Sequence, residues 1–146
     1  TFIYSWFNPI VAQNLFDGLN LFSLKEANPW YYGGVISMVL FIILLKAYLF
    51  YQIIRIFLKI NLVHPFSQEI SKLISTVSYT AFQIGIGIIF ASACFKWLAK
   101  KGYELDQVYS LMGGAYEFLL MAAILVAVSQ IFKRGVEIQE ESELTV

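Results

Sequence analysis

The chain has 146 residues, 59% of them hydrophobic and 14% charged, with ten basic and ten acidic side chains and a single cysteine. Soluble domains carry about 25% charged residues, so this balance points to a chain that lives in lipid. The cancelled charge gives no electrostatic case for nucleic-acid binding, and Cys94 has no second thiol in the chain with which to form a disulfide.

Residues 1–32 are mixed and rich in aromatics, with turn signals at Asn8-Pro9, Asp17-Gly18 and Asn28-Pro29. They read either as an extracytoplasmic segment lying at the membrane–water interface, where Phe2, Tyr4, Trp6, Phe7 and Trp30 would settle, or as an ordinary loop on the helix ends. The chain opens at Thr1 with neither an initiator methionine nor a signal-peptide pattern, so its N-terminus reads as processed or incomplete, which leaves room for an earlier span.

The first long apolar run gives a span over about 33–59. About 20 helical residues cross the ~30 Å of hydrocarbon, so the run is long enough. Its second half is amphipathic: Tyr48, Tyr51, Gln52, Arg55 and Lys59 share a stripe, with Lys46 on nearly the opposite side. Pro65 then breaks the chain, Ser67 is placed to cap the next helix, and Glu69 falls in its first turn. A second span follows over about 68–96. In it Ala81 with Gly85, and Gly87 with Ala91, recur every fourth position, a pattern that lets backbones approach in lipid. The third span is expected over about 108–132, with Gly113 and Gly114 on a helix–helix surface. Gly135 is expected to stop it, leaving residues 135–146 as an acidic cytoplasmic tail. The fold class is therefore an all-α integral membrane helical bundle.

Charge near the span ends orients it weakly. Arg55, Lys59, Lys72, Lys133 and Arg134 lie on one side, against Lys25, Lys96, Lys100 and Lys101 on the other. The positive-inside rule places the first loop and the tail in the cytoplasm. Arg55, Lys59, Lys133 and Arg134 are candidate contacts for anionic lipid head groups.

Charge inside an apolar run is expensive, about 2.5–3.5 kcal/mol for a lysine at mid-bilayer. Two readings of Lys46 stand. It pairs with Glu117, from which it differs by about 6 Å of depth if both helices start as expected. Otherwise Lys46 marks the boundary of the hydrocarbon and Glu117 opens to water or a partner. His64 stands alone, so no metal site and no cofactor are expected. No Ser-His-Asp set, HExxH, P-loop or carboxylate pair is present, and the chain is expected not to be an enzyme.

Two stretches, His64-Pro65-Phe66-Ser67 with Glu69 and the end from Ile131 to Val146, together resemble domain-of-unknown-function family 2975 of small bacterial membrane proteins. The resemblance covers about residues 33–146. His64 departs from the asparagine usual there. The resemblance implies four spans, the first before Thr1, both ends cytoplasmic and a place in the bacterial inner membrane. Some members look to be encoded beside helix-turn-helix regulators, and no activity comes with the family. The function expected is a non-catalytic accessory or regulatory subunit of a membrane complex, bound to a protein partner or a second copy. Its contact surface would be the turn His64, Pro65, Phe66, Ser67 and Glu69 with the tail residues Gly135, Glu137, Glu140, Glu141, Leu144, Thr145 and Val146. The tail is alternatively a frayed terminus. The rival function is a small transporter, channel or self-immunity protein with a polar path at Lys46 and Glu117.

Overall fold

Two of the three long helices start where a side chain satisfies free backbone N–H groups of the first turn. The computed structural model describes residues 7, 8, 10, 21–60, 66–103, 105, 108, 109 and 112–144. Among these, the secondary structure is helical: a short α1 (Phe22–Ala27), then α2 (Pro29–Lys59), α3 (Gln68–Ala99) and α4 (Ala115–Leu144). The Asn28 side-chain oxygen accepts the N–H groups of Trp30 at 3.0 Å and Tyr31 at 3.4 Å. Pro29 fills the first helical position, where a missing N–H costs nothing. The Asn-Pro turn signal is thus the cap of α2, which begins four residues before the expected Gly33. Ser67 does the same for α3, accepting the Ile70 N–H at 3.2 Å, with Glu69 favourably placed near the positive end of the helix dipole. Beyond Ala99 the chain turns through Lys100 and Lys101 into Gly102, whose φ of 92° is open to glycine at little cost.

The third long helix departs from the expected bounds at both ends. It begins at Ala115, not near 108, because Gly114 has φ 93° and cannot continue a right-handed helix. Gly113 and Gly114 therefore precede α4 and do not form a helix–helix surface within it. At the other end α4 runs straight through Gly135 to Leu144. The glutamates, glutamine and leucine that follow are good helix formers, and they outweigh one glycine. The polar tail is helix down to Leu144.

Three helices are long and apolar enough to cross a membrane. Their exteriors are coated with exposed apolar side chains, among them Phe41, Leu44, Phe50, Phe57 and Phe90. An apolar coat this extensive is foreign to a water-facing surface and normal against lipid.

The chain divides into two compact units, Thr1–Ile43 with Gly87–Gly114, and Leu44–Ile86 with Ala115–Val146. The first is cored by Tyr32, Val35 and Val39 of α2, by Ile88, Ala91 and Phe95 of α3, and by Leu21 and Leu24 at the start of α1. An aromatic group gathers at its polar end. The Lys101 ammonium lies 3.7 Å from the Trp97 ring centroid and donates to the Tyr31 hydroxyl at 3.2 Å, while Tyr31 meets Trp97 and Tyr103 edge-on. Most of the expected interfacial segment lies outside the described residues. Its described part, with Leu21 and Leu24 buried, packs into this unit.

The second unit is cored by Leu49, Ile70, Ile74, Val77, Ala81, Ile84 and Ala122, together with the polar Gln52, Ser71, Ser78, Thr80 and Ser129. Gly85 is a point of close approach: a Cβ there would lie 2.7 Å from Leu119 Cγ and 3.1 Å from the Ala115 carbonyl oxygen. Gly87, in the other unit, has only Ile42 at 3.8 Å. Gly85→Ala is therefore expected to lower stability in detergent by about 1–3 kcal/mol through overpacking, whereas Gly87→Ala is expected to raise it by up to about 1 kcal/mol, the helix preference of alanine. Thermal melts of the two variants side by side check this; equal losses would contradict the assignment of the close contact to Gly85.

Candidate functional site

In hydrocarbon a polar group without a protein partner costs several kcal/mol, so the polar side chains inside the spans have to find one another. Among the described residues every buried side-chain nitrogen and oxygen does so. On α3, Ser71, Ser75 and Ser78 recur at helical spacing and face α4. Ser71 Oγ donates to the Ser129 carbonyl and Ser129 Oγ to the Ser71 carbonyl, each at 3.3 Å. Ser75 and Ser129 share a hydroxyl–hydroxyl bond of 2.6 Å, and Ser78 Oγ donates to the Ala122 carbonyl at 2.9 Å. On the α2 side, Gln52 Nε2 donates to Thr80 Oγ1 at 3.0 Å. The expected polar stripe of α2 thus splits. Gln52 turns inward, while Tyr48 and Tyr51 remain exposed and stack on each other at 6.4 Å.

Above this serine seam the ends of α3 and α4 close a polar site. Phe66, just before the Ser67 cap, lays its ring against Gly135 and lies 5.3 Å from the Phe132 ring. A Cβ at Gly135 would meet the Phe66 ring at 2.5 Å, so the glycine that was expected to end the helix instead makes room for this ring. Lys59 pairs with Glu69, and Arg134 Nη1 with Glu137 Oε2 at 2.7 Å. Beside these contacts runs a groove of about 710 Å³. From α3 it is lined by Gln68, Ser71, Lys72, Ser75 and Thr76; from α4 by Ser129, Gln130, Lys133, Val136, Glu137 and Glu140. The groove carries charges of both signs over a floor of hydroxyls.

The structure brings Phe66 and Gly135 together and places Ser67 and Glu69 at the start of the same helix. Of the four candidate head-group cations, Lys59 and Arg134 are engaged with carboxylates, and Lys133 lines the groove. Arg55 is half-buried on α2. Ala81 and Ala91 are fully buried, as expected of packing residues. Glu140 and Glu141 are exposed on the extension of α4. His64, Pro65, Thr145 and Val146 lie outside the described residues, as does the side chain of Leu144.

Lys46 and Glu117 are not joined by an ion pair. The Lys46 ammonium lies over the Phe118 ring, 5.5 Å from its centroid, a favourable contact for a cation. Glu117 is exposed in the first turn of α4, where the helix dipole favours a carboxylate. With the helix starting at Ala115, Glu117 lies two residues from the N-terminus and not nine, and the need for a buried partner falls away.

Ser71, Ser75, Ser78, Thr80 and Ser129 were not among the residues singled out from sequence, and Gln52 was placed only on the polar stripe of α2. The i, i+4, i+7 spacing of Ser71, Ser75 and Ser78, opposite a lone serine in an apolar run, is the signal that marks them.

The model of the family described as "Protein of unknown function (DUF2975)" matches residues 9–146. Neither a curated protein nor a solved structure matches the chain.

If Phe66 and Gly135 form one contact, their substitutions interact. Gly135→Ala is expected to destabilise the wild type by about 1–3 kcal/mol by displacing the ring. In a Phe66→Ala background the same change is expected to stabilise by up to about 1 kcal/mol, the helix preference of alanine over glycine. A double-mutant cycle by thermal melting reads the change of sign, and the same sign in both backgrounds would refute the contact.

Proposed function

The chain belongs to the DUF2975 family, whose function is unknown, and from that premise we propose that it is a non-catalytic accessory or regulatory subunit of a complex in the bacterial inner membrane. The contact of Phe66 with Gly135 is the observation that most favours this reading. It ties the turn before α3 to the start of the α4 extension, so that two stretches far apart in sequence make one surface. That surface includes Phe66, 38% exposed, and Ile138, 56% exposed, among the carboxylates Glu69, Glu140 and Glu141. Apolar side chains ringed by charge suit a protein contact at the membrane boundary. The helical state of 137–144 supports the same reading, because a preformed helix loses less entropy on docking than a frayed end. A structural role also accounts for the buried polar groups, since the serines, Gln52 and Thr80 are committed to holding helices.

Extraction of the tagged chain in mild detergent tests this. The expected result is a membrane partner or second copy in fixed stoichiometry, lost when residues 137–146 are removed while thermal stability stays within about 0.5 kcal/mol. The opposing result is a chain that purifies alone and supports solute flux into proteoliposomes, with the flux abolished by Lys46→Met.

A further inference from the structure

The polar groove is followed along α3 and α4 by a second, apolar cleft, the two making a discontinuous trough. Its α3 lining steps from Gln68 through Lys72 and Ser75, and three to four residues on the same stripe continues to Tyr79 and Phe82. On α4 the stripe runs back from Glu140 through Lys133 and Gln130 to Val126 and Leu119. The second stretch is a separate apolar cleft of about 370 Å³ between the same two helices. Charges at one end and rings and aliphatic side chains at the other are thus spread over about 21 Å of α3 and about 31 Å of α4. The hydroxyls of Ser71, Ser75 and Ser78, which line these two clefts, are committed to α4.

We propose that this trough binds a phospholipid with a phosphate and a primary ammonium in its head group, of the phosphatidylethanolamine class. Lys72 and Lys133 supply two ammonium groups for the phosphate diester. Glu137 and Glu140 supply carboxylates for the ligand's own ammonium, and Glu137 keeps one oxygen for this because Arg134 takes the other. A purely anionic head group would meet these two carboxylates at like charge. A choline head group has no N–H to give them. One acyl chain then follows the stripe into the apolar cleft, where Phe82, Leu119 and Val126 face it. The 710 Å³ of the polar groove is within the range of about 300–1,000 Å³ typical of small-molecule sites. The site needs no protein partner and stands or falls apart from the accessory-subunit reading.

Native mass spectrometry of the purified full chain in detergent tests it. Phosphatidylethanolamine, phosphatidylcholine and phosphatidylglycerol with identical acyl chains are added in turn, alongside water-soluble glycerophosphoethanolamine. The expected result is one phosphatidylethanolamine per chain, with the other two lipids bound about tenfold more weakly, the equivalent of one charge-assisted hydrogen bond. The free head group is expected to bind more weakly still. Lys72→Gln with Lys133→Gln is expected to weaken phosphatidylethanolamine about tenfold, and Glu140→Gln to remove its advantage over phosphatidylglycerol. Equal retention of the three lipids by the wild-type chain overturns the proposal without recourse to any variant. A free head group that binds as tightly as the lipid also overturns it, in favour of a soluble zwitterion.

Discussion

In a bilayer the hydrocarbon tails are as apolar as leucine, so burying leucine gives two helices no reason to associate. What holds α3 to α4 must therefore be contact at short range and hydrogen bonds with nowhere else to go. The structure supplies both. Gly85 lets Leu119 and the Ala115 carbonyl approach to distances that a methyl group would forbid. Four hydrogen bonds from Ser71, Ser75, Ser78 and Ser129 cross between the two helices, three of them at Ser129. Each interhelical bond of this type contributes only about 0.6 kcal/mol in a membrane protein. The seam works as a set, and it fixes register as much as it adds stability, since a slip of either helix unpairs all of it at once.

The site at the end of this unit depends on that register. With Ser71 and Ser75 facing Ser129, the next turns of α3 and α4 place Phe66 against Gly135 and leave Lys72 and Lys133 on one groove. The two stretches of sequence that carry the family resemblance thereby become neighbours in space. A turn of the chain and a helical extension more than sixty residues later form a single surface. Charged residues nearby are mostly spent locally, Lys59 on Glu69 and Arg134 on Glu137. Lys133, by contrast, is turned to the groove.

Much of the fold was legible in the sequence. Three apolar runs longer than a bilayer is thick leave few alternatives to helices, and Asn28-Pro29 and Ser67 mark helix starts by their capping chemistry. The boundaries of α4 were not legible. Residues 108–112 are nearly as apolar as those that follow Gly114, so only the left-handed φ of Gly114 reveals where the helix begins. Gly135 misled in the opposite sense, because a glycine between basic and acidic residues looks like a stop when its ring neighbour is unseen. The depth assigned to Glu117 inherited the first of these errors, and of the two readings of Lys46 the one that paired it with Glu117 rested on that depth. The serine seam was hidden for a different reason: one serine in an apolar run is as compatible with lipid as with a partner, and its meaning depends on which residue faces it.

The register of α3 and α4 sets the seam and the groove alike, and cysteine cross-linking in native membranes measures it. Ser75→Cys with Ser129→Cys, on a background in which Cys94 is replaced by serine, joins two positions whose side-chain oxygens lie 2.6 Å apart. The pair is expected to form a disulfide on mild oxidation. Ile86→Cys with Ser129→Cys, about 16 Å further along α3, is expected to remain reduced. Cross-linking of the second pair in place of the first would contradict the seam, and with it the placement of every residue in the groove.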